Sequence, residues 1–480
     1  MKEQRYQIGL VGLGVMGRNF ALNMAEHGVA VVGFDRDAHQ VSELDAVAGD
    51  HPLTGVRSIE QFVAALTLPR AIMFLVPAGK PVDAVIRELL PHLSPGDLLI
   101  DGGNSHYQDT ALRAKTLAAK GIAYLGVGIS GGEEGARHGP SLMPGGDKHA
   151  YQRVQPILEA TAAQVDGDPC VTYLGPGAAG HYVKMVHNGI EYGLMQLIAE
   201  SYDLLKRGLG LTDPELHQIY HAWNATELNS YLLEITAAIF AQRDQEHNHW
   251  LIDEILDAAK QKGTGKWTVQ DALDLGTPVP TIATAVAMRN LSALKEERML
   301  AGELLTGPTP QFHGDHTTFI ELLRNALYAA MITTYAQGMS QLQQASTTYG
   351  YGLHLADVAR IWRGGCIIRA ALLEDIRRAY ANDPDIPSLL IDPRFGYRVV
   401  ERQSDLREVV RTAAAHGIPV PALMSALAYF DSYRSGWLPA NLIQAQRDYF
   451  GAHTYERIDE KGVFHTQWQA DERQIQGQQS

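Results

Sequence analysis

The chain has 480 residues, 45% apolar and 20% charged, enough apolar material for more than one packed domain. With 40 Lys and Arg against 54 Asp and Glu, the formal net charge of −14 disfavours non-specific binding to nucleic acid or anionic membrane, but a local cluster of cations can still hold a small anion. Two cysteines, Cys170 and Cys366, exclude a disulfide framework and suit a reducing compartment.

No apolar run is long enough to span a bilayer. Met1-Lys2-Glu3-Gln4-Arg5 leads directly into a strand pattern without a signal-peptide signature, so the expected location is the cytoplasm. Short apolar runs at 6–11, 30–34, 71–76, 98–101, 123–127 and 171–174 read as strands. Helical periodicity at 17–27 and 110–120 lies between them. Strand, helix and strand at this spacing predict a mostly parallel sheet. The pattern ends near Gly175-Pro176-Gly177-Ala178-Ala179-Gly180.

Helical periodicity then dominates from 181 to about 433. The expected fold is therefore α/β followed by all-α. A parallel-sheet α/β domain over 1–178 precedes a large helical domain over 179–435 and a C-terminal tail over 436–480. The helical part carries a weak internal repeat. Asn188 precedes Trp223 by 35 residues, and Asn325 precedes Trp362 by 37. Each Trp is followed by Leu-Leu-Glu, at 232–234 and 372–374. The tail contains a helical pattern over 441–450, and its last residues, 474–480, lack apolar anchors and are expected to fray.

Gly12-Leu13-Gly14-Val15-Met16-Gly17 follows the first strand and opens a helix. Such glycines allow a tight turn and close approach of a pyrophosphate to a helix N-terminus. Asp35 ends the next strand, which completes a dinucleotide-binding fingerprint. Asp35 suits the free ribose hydroxyls of NAD, whereas Arg36 suits the 2′-phosphate of NADP. The run Asp35-Arg36-Asp37 sets that cation between two carboxylates that repel a dianion.

The helical part opens with His181-Tyr182-Val183-Lys184-Met185-Val186-His187-Asn188-Gly189-Ile190-Glu191-Tyr192. Lys184 and Glu191 are seven residues apart, almost two turns, so they share one side of a helix. His181, His187 and Asn188 fall near them, and Val183, Val186, Ile190, Leu194 and Leu197 take the opposite side. Alone, such a polar face is ordinarily a solvated one.

Several segments in order make the chain resemble the 6-phosphogluconate dehydrogenase family over nearly its whole length. They are the glycine turn, Asp101-Gly102-Gly103-Asn104-Ser105, and Ser130-Gly131-Gly132-Glu133-Glu134-Gly135-Ala136-Arg137. They continue with the 184–192 run, Gln261-Lys262-Gly263-Thr264-Gly265-Lys266-Trp267, and the tail run from Asn441 to His453. The resemblance implies oxidative decarboxylation of 6-phospho-D-gluconate to D-ribulose 5-phosphate without a metal. It makes Lys184 the general base and then general acid, and Glu191 the acid that protonates C1. Asn104, Ser130, Gly131, Gly132, His187 and Asn188 would hold the carboxylate and hydroxyl end of the substrate. Tyr192, Lys262, Thr264, Arg289, Arg447 and His453 would hold its phosphate end.

The cofactor would lie against Gly12, Gly14, Val15, Met16, Gly17, Asp35, Arg36, Asp37, Val76 and Asn104. The family implies NADP and a homodimer in which the tail's Arg447 and His453 complete the partner's site. NADP-preferring members carry asparagine at the position of Asp35 and serine or threonine at that of Asp37. The expectation here is therefore that NAD is used at least as well. Aligning Asn188 with Asn325 sets Glu321 against Lys184 and Tyr328 against Glu191, so the second repeat reads as scaffold and dimer surface. Two other readings stand beside this one. They are a different β-hydroxyacid dehydrogenase, which has no use for the phosphate cluster, and a non-catalytic dinucleotide-binding scaffold.

Overall fold

A computed structural model describes residues 5–246 and 248–468. The chain divides into two units, one ending at Leu427 and the other beginning at Ala428. The expected fraying of 474–480 lies outside the described residues.

The first unit opens with alternating elements. They are β1 (Ile8–Val11), α1 (Val15–Glu26), β2 (Val31–Phe34), α2 (Ala38–Ala48), β3 (Leu53–Val56), α3 (Ile59–Ala65), β4 (Ala71–Phe74), α4 (Lys80–Leu89), β5 (Leu98–Asp101), α5 (Tyr107–Ala118), β6 (Ala123–Ser130), α6 (Gly132–His138), β7 (Ser141–Gly146) and α7 (Lys148–Thr161). The sheet order is β3-β2-β1-β4-β5-β6-β7, parallel except for the antiparallel pair β6–β7. Both faces of the sheet are covered. Ile8, Leu10, Met73 and Ile100 pack on one face with Phe20, Leu44 and Leu158. Val11, Ile72, Phe74 and Leu99 pack on the other with Phe62, Val85 and Leu117. Burial on both faces explains why these strands are apolar throughout and do not alternate with polar residues.

The chain order reverses between β1 and β4, which leaves a crevice at their carboxyl ends. The sequence pattern does not show two strands of this sheet. β3 contains Thr54 and Gly55, and β7 ends in Pro144-Gly145-Gly146, both poor strand signals. The expected strand at 171–174 does not form. Val171 makes an isolated parallel bridge with Leu142, and Leu174 N–H donates to Pro144 C=O.

Helices follow: α8 (Ala179–Asp203), α9 (Asp213–Asn224), α10 (Tyr231–Ala241), α11 (Leu251–Glu254), α12 (Thr264–Asp274), α13 (Pro280–Ser292), α14 (Lys295–Leu304), α15 (His316–Tyr349), α16 (Leu355–Ile361), α17 (Leu372–Asn382), α18 (Pro393–Ala415), α19 (Pro421–Tyr433) and α20 (Ala440–Gly451). The repeat is visible as α8-α9-α10 against α15-α16-α17. Its two copies meet at equivalent residues. Tyr231 N–H donates to Arg369 C=O at 3.0 Å and Ala371 N–H to Asn229 C=O at 2.9 Å, around the Ser230–Ala370 bridge. No helix among the described residues is long and apolar enough to cross a membrane.

Candidate active site

The glycine turn is built for close approach. Gly12 has φ +91°, and a Cβ there would stand 2.6 Å from Leu75 O. A Cβ on Gly17 would stand 1.8 Å from Gly12 O, so any side chain there would push α1 off the turn. Gly14 begins α1 without a side-chain cap, and the space where its Cβ would point is open. An uncapped helix start facing open space suits a pyrophosphate. The residues present therefore fit a dinucleotide.

Asp35 braces this turn. Its Oδ2 accepts from Leu13 N–H at 2.7 Å and its Oδ1 from Asp37 N–H at 2.9 Å. Asp37 is the N-cap of α2 and accepts from His39 N–H. Arg36 is exposed and pairs with Glu88 of α4. Gly12, Asp35, Arg36 and Val76 line a hollow of about 160 Å³ with one face of α4. Beside it a cleft of about 670 Å³ runs from Met16 and Val76 past Asn104 to Lys262 and Trp267.

α8 differs from a solvated amphipathic helix because it is buried on nearly all sides. It can lie close to the sheet because Gly180 replaces a side chain that would meet Gly126 O and Met143 O at 2.3 Å each. The stem of Lys184 packs in the same way over Gly128 of β6, where a Cβ would stand 2.4 Å from Lys184 Cβ. Lys184, His187, Asn188, Glu191 and Tyr192 follow a spacing of three and four residues and form one stripe. His181 departs from it. Its ring contacts Thr110 Oγ1 at 2.7 Å and Asp101 O at 3.1 Å, which ties α8 to the sheet.

Polar groups along the stripe join up. Ser130 Oγ lies 3.4 Å from His187 Nε2, and His187 Nδ1 lies 3.0 Å from Asn188 Oδ1. Asn188 donates to Thr264 Oγ1 at 3.2 Å. Glu191 Oε2 stands 3.8 Å from His187 Nδ1. Burial pushes the His187 pKa well below its usual range, and the nearby Lys184 adds to this, so the pair is a contact of a neutral ring with a carboxyl group. The guanidinium of Arg289 lies 3.4 Å over the Tyr192 ring. Gly131 has φ +107° and abuts Gly365 O, so the Ser130-Gly131-Gly132 turn is backed by the second repeat. Gly132, with φ +62°, is exposed at the start of α6.

Burial lowers the Lys184 pKa, with Glu191 and Cys366 opposing the shift. It raises the Glu191 pKa, against the attraction of Lys184 and Arg289. A lysine moved towards neutrality and a carboxyl moved towards protonation suit a base and an acid working near neutral pH.

Arg447 and His453 belong to the second unit. Arg447 donates to Gln444 Oε1 at 3.1 Å, and the His453 ring packs edge-on against Phe450. The buried Asp448 organises this unit. It accepts from Thr454 N–H, Thr466 N–H and the indole of Trp468, and contacts the ring of His465.

Residues 7–175 match the NAD binding domain of 6-phosphogluconate dehydrogenase, and residues 180–468 match the C-terminal domain of that enzyme. The chain belongs to the 6-phosphogluconate dehydrogenase family. It is 54% identical to the NADP(+)-dependent, decarboxylating 6-phosphogluconate dehydrogenase of Bacillus subtilis (strain 168), over 97% of this chain and 99% of that one. It is 53% identical to the decarboxylating enzyme of Escherichia coli (strain K12), with the same coverage. The solved Plasmodium falciparum 6-phosphogluconate dehydrogenase superposes with a TM-score of 0.94 at 44% identity, covering 96% of this chain and all of that one. That enzyme was studied in apo form and in complexes with NADP+ and with 6-phosphogluconate.

Three features had no signal in the local sequence pattern. Asp271 of α12 accepts from the hydroxyls of Tyr107 (2.5 Å), Tyr349 (2.7 Å) and Tyr182, and so ties α5 to three helices. Trp362, recognised only as a repeat marker, stacks edge-on against His187 at 5.4 Å. Glu88 meets Arg36 across the nucleotide hollow. All three are contacts between distant segments, which local periodicity does not encode.

Proposed function

We propose that the chain oxidatively decarboxylates 6-phospho-D-gluconate to D-ribulose 5-phosphate and carbon dioxide, with Lys184 and Glu191 as its acid–base pair. The observation that carries this is the buried stripe on α8, where one lysine and one carboxyl group are shifted in opposite directions. When bound, the nicotinamide cofactor accepts the hydride from C3. Neutral Lys184 takes the C3 hydroxyl proton as that hydride leaves, which gives a β-keto acid. Protonated Lys184 then donates to the C3 carbonyl oxygen. The C1–C2 bond breaks, carbon dioxide departs, and its electron pair forms the C2–C3 enediol. The former C2 becomes C1 of the product. Glu191 protonates it while Lys184 withdraws the proton from the neighbouring hydroxyl.

Ser130, His187 and Asn188, with Asn104 and the amides of Gly131 and Gly132, hold the carboxylate and hydroxyls. Neutral His187 can both donate and accept, which suits a hydroxyl. Tyr192, Lys262, Thr264 and Arg289 take the phosphate, and Arg447 and His453 of the partner chain in a homodimer complete its site. The names of the relatives support NADP as cofactor. The carboxylates of Asp35 and Asp37 extend the choice to NAD.

The test is absorbance at 340 nm with 6-phosphogluconate and each nucleotide, together with carbon dioxide release. Equal amounts of reduced nucleotide and carbon dioxide support the reading. Reduction without carbon dioxide release would show a simple β-hydroxyacid dehydrogenase, and no reduction would leave a binding scaffold.

A further inference from the structure

We infer that Glu88 is a specificity-determining positioning residue, which holds Arg36 away from a 2′-phosphate and so favours NAD over NADP. The inference rests on the nucleotide reading above and deepens it. α4 presents Pro81, Ala84, Val85 and Glu88 to the hollow that also holds Asp35 and Arg36. These residues follow the three- and four-residue spacing of one helix face. The first three are apolar and form a wall suited to an adenine ring. The fourth places a carboxylate at the end of that wall.

Both Nε and Nη2 of Arg36 donate to the same oxygen of Glu88, the Nε at 3.2 Å. The Arg36 side chain is 66% exposed and that of Glu88 32%. The guanidinium is thus engaged, while remaining accessible to solvent. Arg36 is the cation that the fingerprint offers to a phosphate on the ribose. To reach that phosphate it must leave Glu88, and the freed carboxylate would then face a dianion across the same hollow. A ribose with a free 2′-hydroxyl demands neither change. Asp35 and Asp37 act differently. Their oxygens accept from backbone amides of the glycine turn and of α2, so they bias the choice without touching Arg36.

The pair is half-exposed, so its effect is modest and salt-dependent. The test compares wild type, Glu88→Gln and Asp35→Asn/Asp37→Thr as full-length enzymes. Two ratios are measured for each. One is kcat/KM for NADP over NAD. The other is the inhibition constant of 5′-AMP over that of 2′,5′-ADP, which reads the 2′-phosphate without turnover. Glu88→Gln is expected to raise both ratios by about two- to fivefold at low ionic strength, the range of a weak exposed charge pair, and less in high salt. In an Arg36→Met background the same substitution is expected to lose most of its effect. Unchanged ratios in Glu88→Gln would overturn the inference, and so would an equal rise in the Arg36→Met background. A wild type that strongly prefers NADP would instead overturn the nucleotide reading. A general loss of folding lowers activity with both nucleotides and leaves the ratios in place, so it cannot imitate the expected result.

Discussion

Lys184 and Glu191 occupy one buried stripe of α8, almost two turns apart, and burial moves their proton affinities in opposite directions. Each charge partly opposes the shift of the other, so the two titrate as a coupled pair. In the proposed mechanism, activity needs neutral Lys184, which is gained as pH rises through its lowered pKa. It also needs protonated Glu191, which is lost as pH rises through its raised pKa.

The expected rate profile is therefore a bell, with Lys184 on its acid limb and Glu191 on its alkaline limb. Lys184→Met should abolish reduction and carbon dioxide release while nucleotide binding persists. Glu191→Gln should slow turnover by about 10²–10⁴-fold, the usual worth of a positioned acid, and should flatten the alkaline limb. Near-normal turnover in either variant would refute the role assigned to that residue.

How much of this was legible in advance follows from the range of each signal. The glycine turn and the α8 stripe are local patterns, and they formed as their spacing requires. β3 and β7 were missed because their glycine, threonine and proline content hides pairing that the neighbouring strands impose. The stripe itself was legible, but its burial was not. Gly180 and Gly128 let α8 press against the sheet, and that contact is set by residues more than 30 positions apart in sequence. The repeat alignment reads the second copy as scaffold and dimer surface. Within this chain it backs the site directly, through Gly365 behind Gly131 and Trp362 against His187.

Glu200 offers a stability test. Its oxygens accept from Ala422 N–H (2.7 Å) and Leu423 N–H (2.9 Å) and so anchor the first turn of α19. Burial raises its pKa from 4.5 to about 7, although these amides oppose the shift. The folded state thus holds this proton more tightly than the unfolded chain. Linkage then makes stability fall as pH rises from about 4.5 to about 7, by about 3 kcal/mol at most. Glu200→Gln should lose one anchoring bond and flatten the dependence of Tm on pH across that window. An unaltered pH dependence in the variant would remove Glu200 as its source.

The tail can be tested by mixing defects. If Arg447 and His453 serve the partner's site, Lys184→Met and Arg447→Ala homodimers should each be nearly inactive with 6-phosphogluconate. Co-expression should restore activity, because a two-fold heterodimer holds one intact site, about a quarter of all sites in a random mixture. Truncation after Gly436 should likewise weaken substrate affinity and the dimer. Failure of the mixture to recover, with heterodimers demonstrated by sedimentation and affinity tags, would place Arg447 outside the partner's site.

The expected use of NAD turns on Asp35 and Asp37. Asparagine and threonine can donate to a 2′-phosphate, whereas ionised carboxylates only accept. One lost charge-assisted hydrogen bond costs about 1.5–3 kcal/mol, or roughly tenfold to more than a hundredfold in affinity. NAD is therefore expected to serve at least as well as NADP. Asp35→Asn with Asp37→Thr should shift preference towards NADP. The two substitutions carry different structural costs. Threonine at 37 keeps an N-cap for α2. Asparagine at 35 keeps only one acceptor oxygen for the amides of Leu13 and Asp37, so it gives up about 1 kcal/mol of bracing in the turn. The double variant should consequently gain in its NADP to NAD ratio while losing some activity with both nucleotides. A wild-type kcat/KM for NADP far above that for NAD would sink this prediction, because Arg36 would then have outweighed both carboxylates.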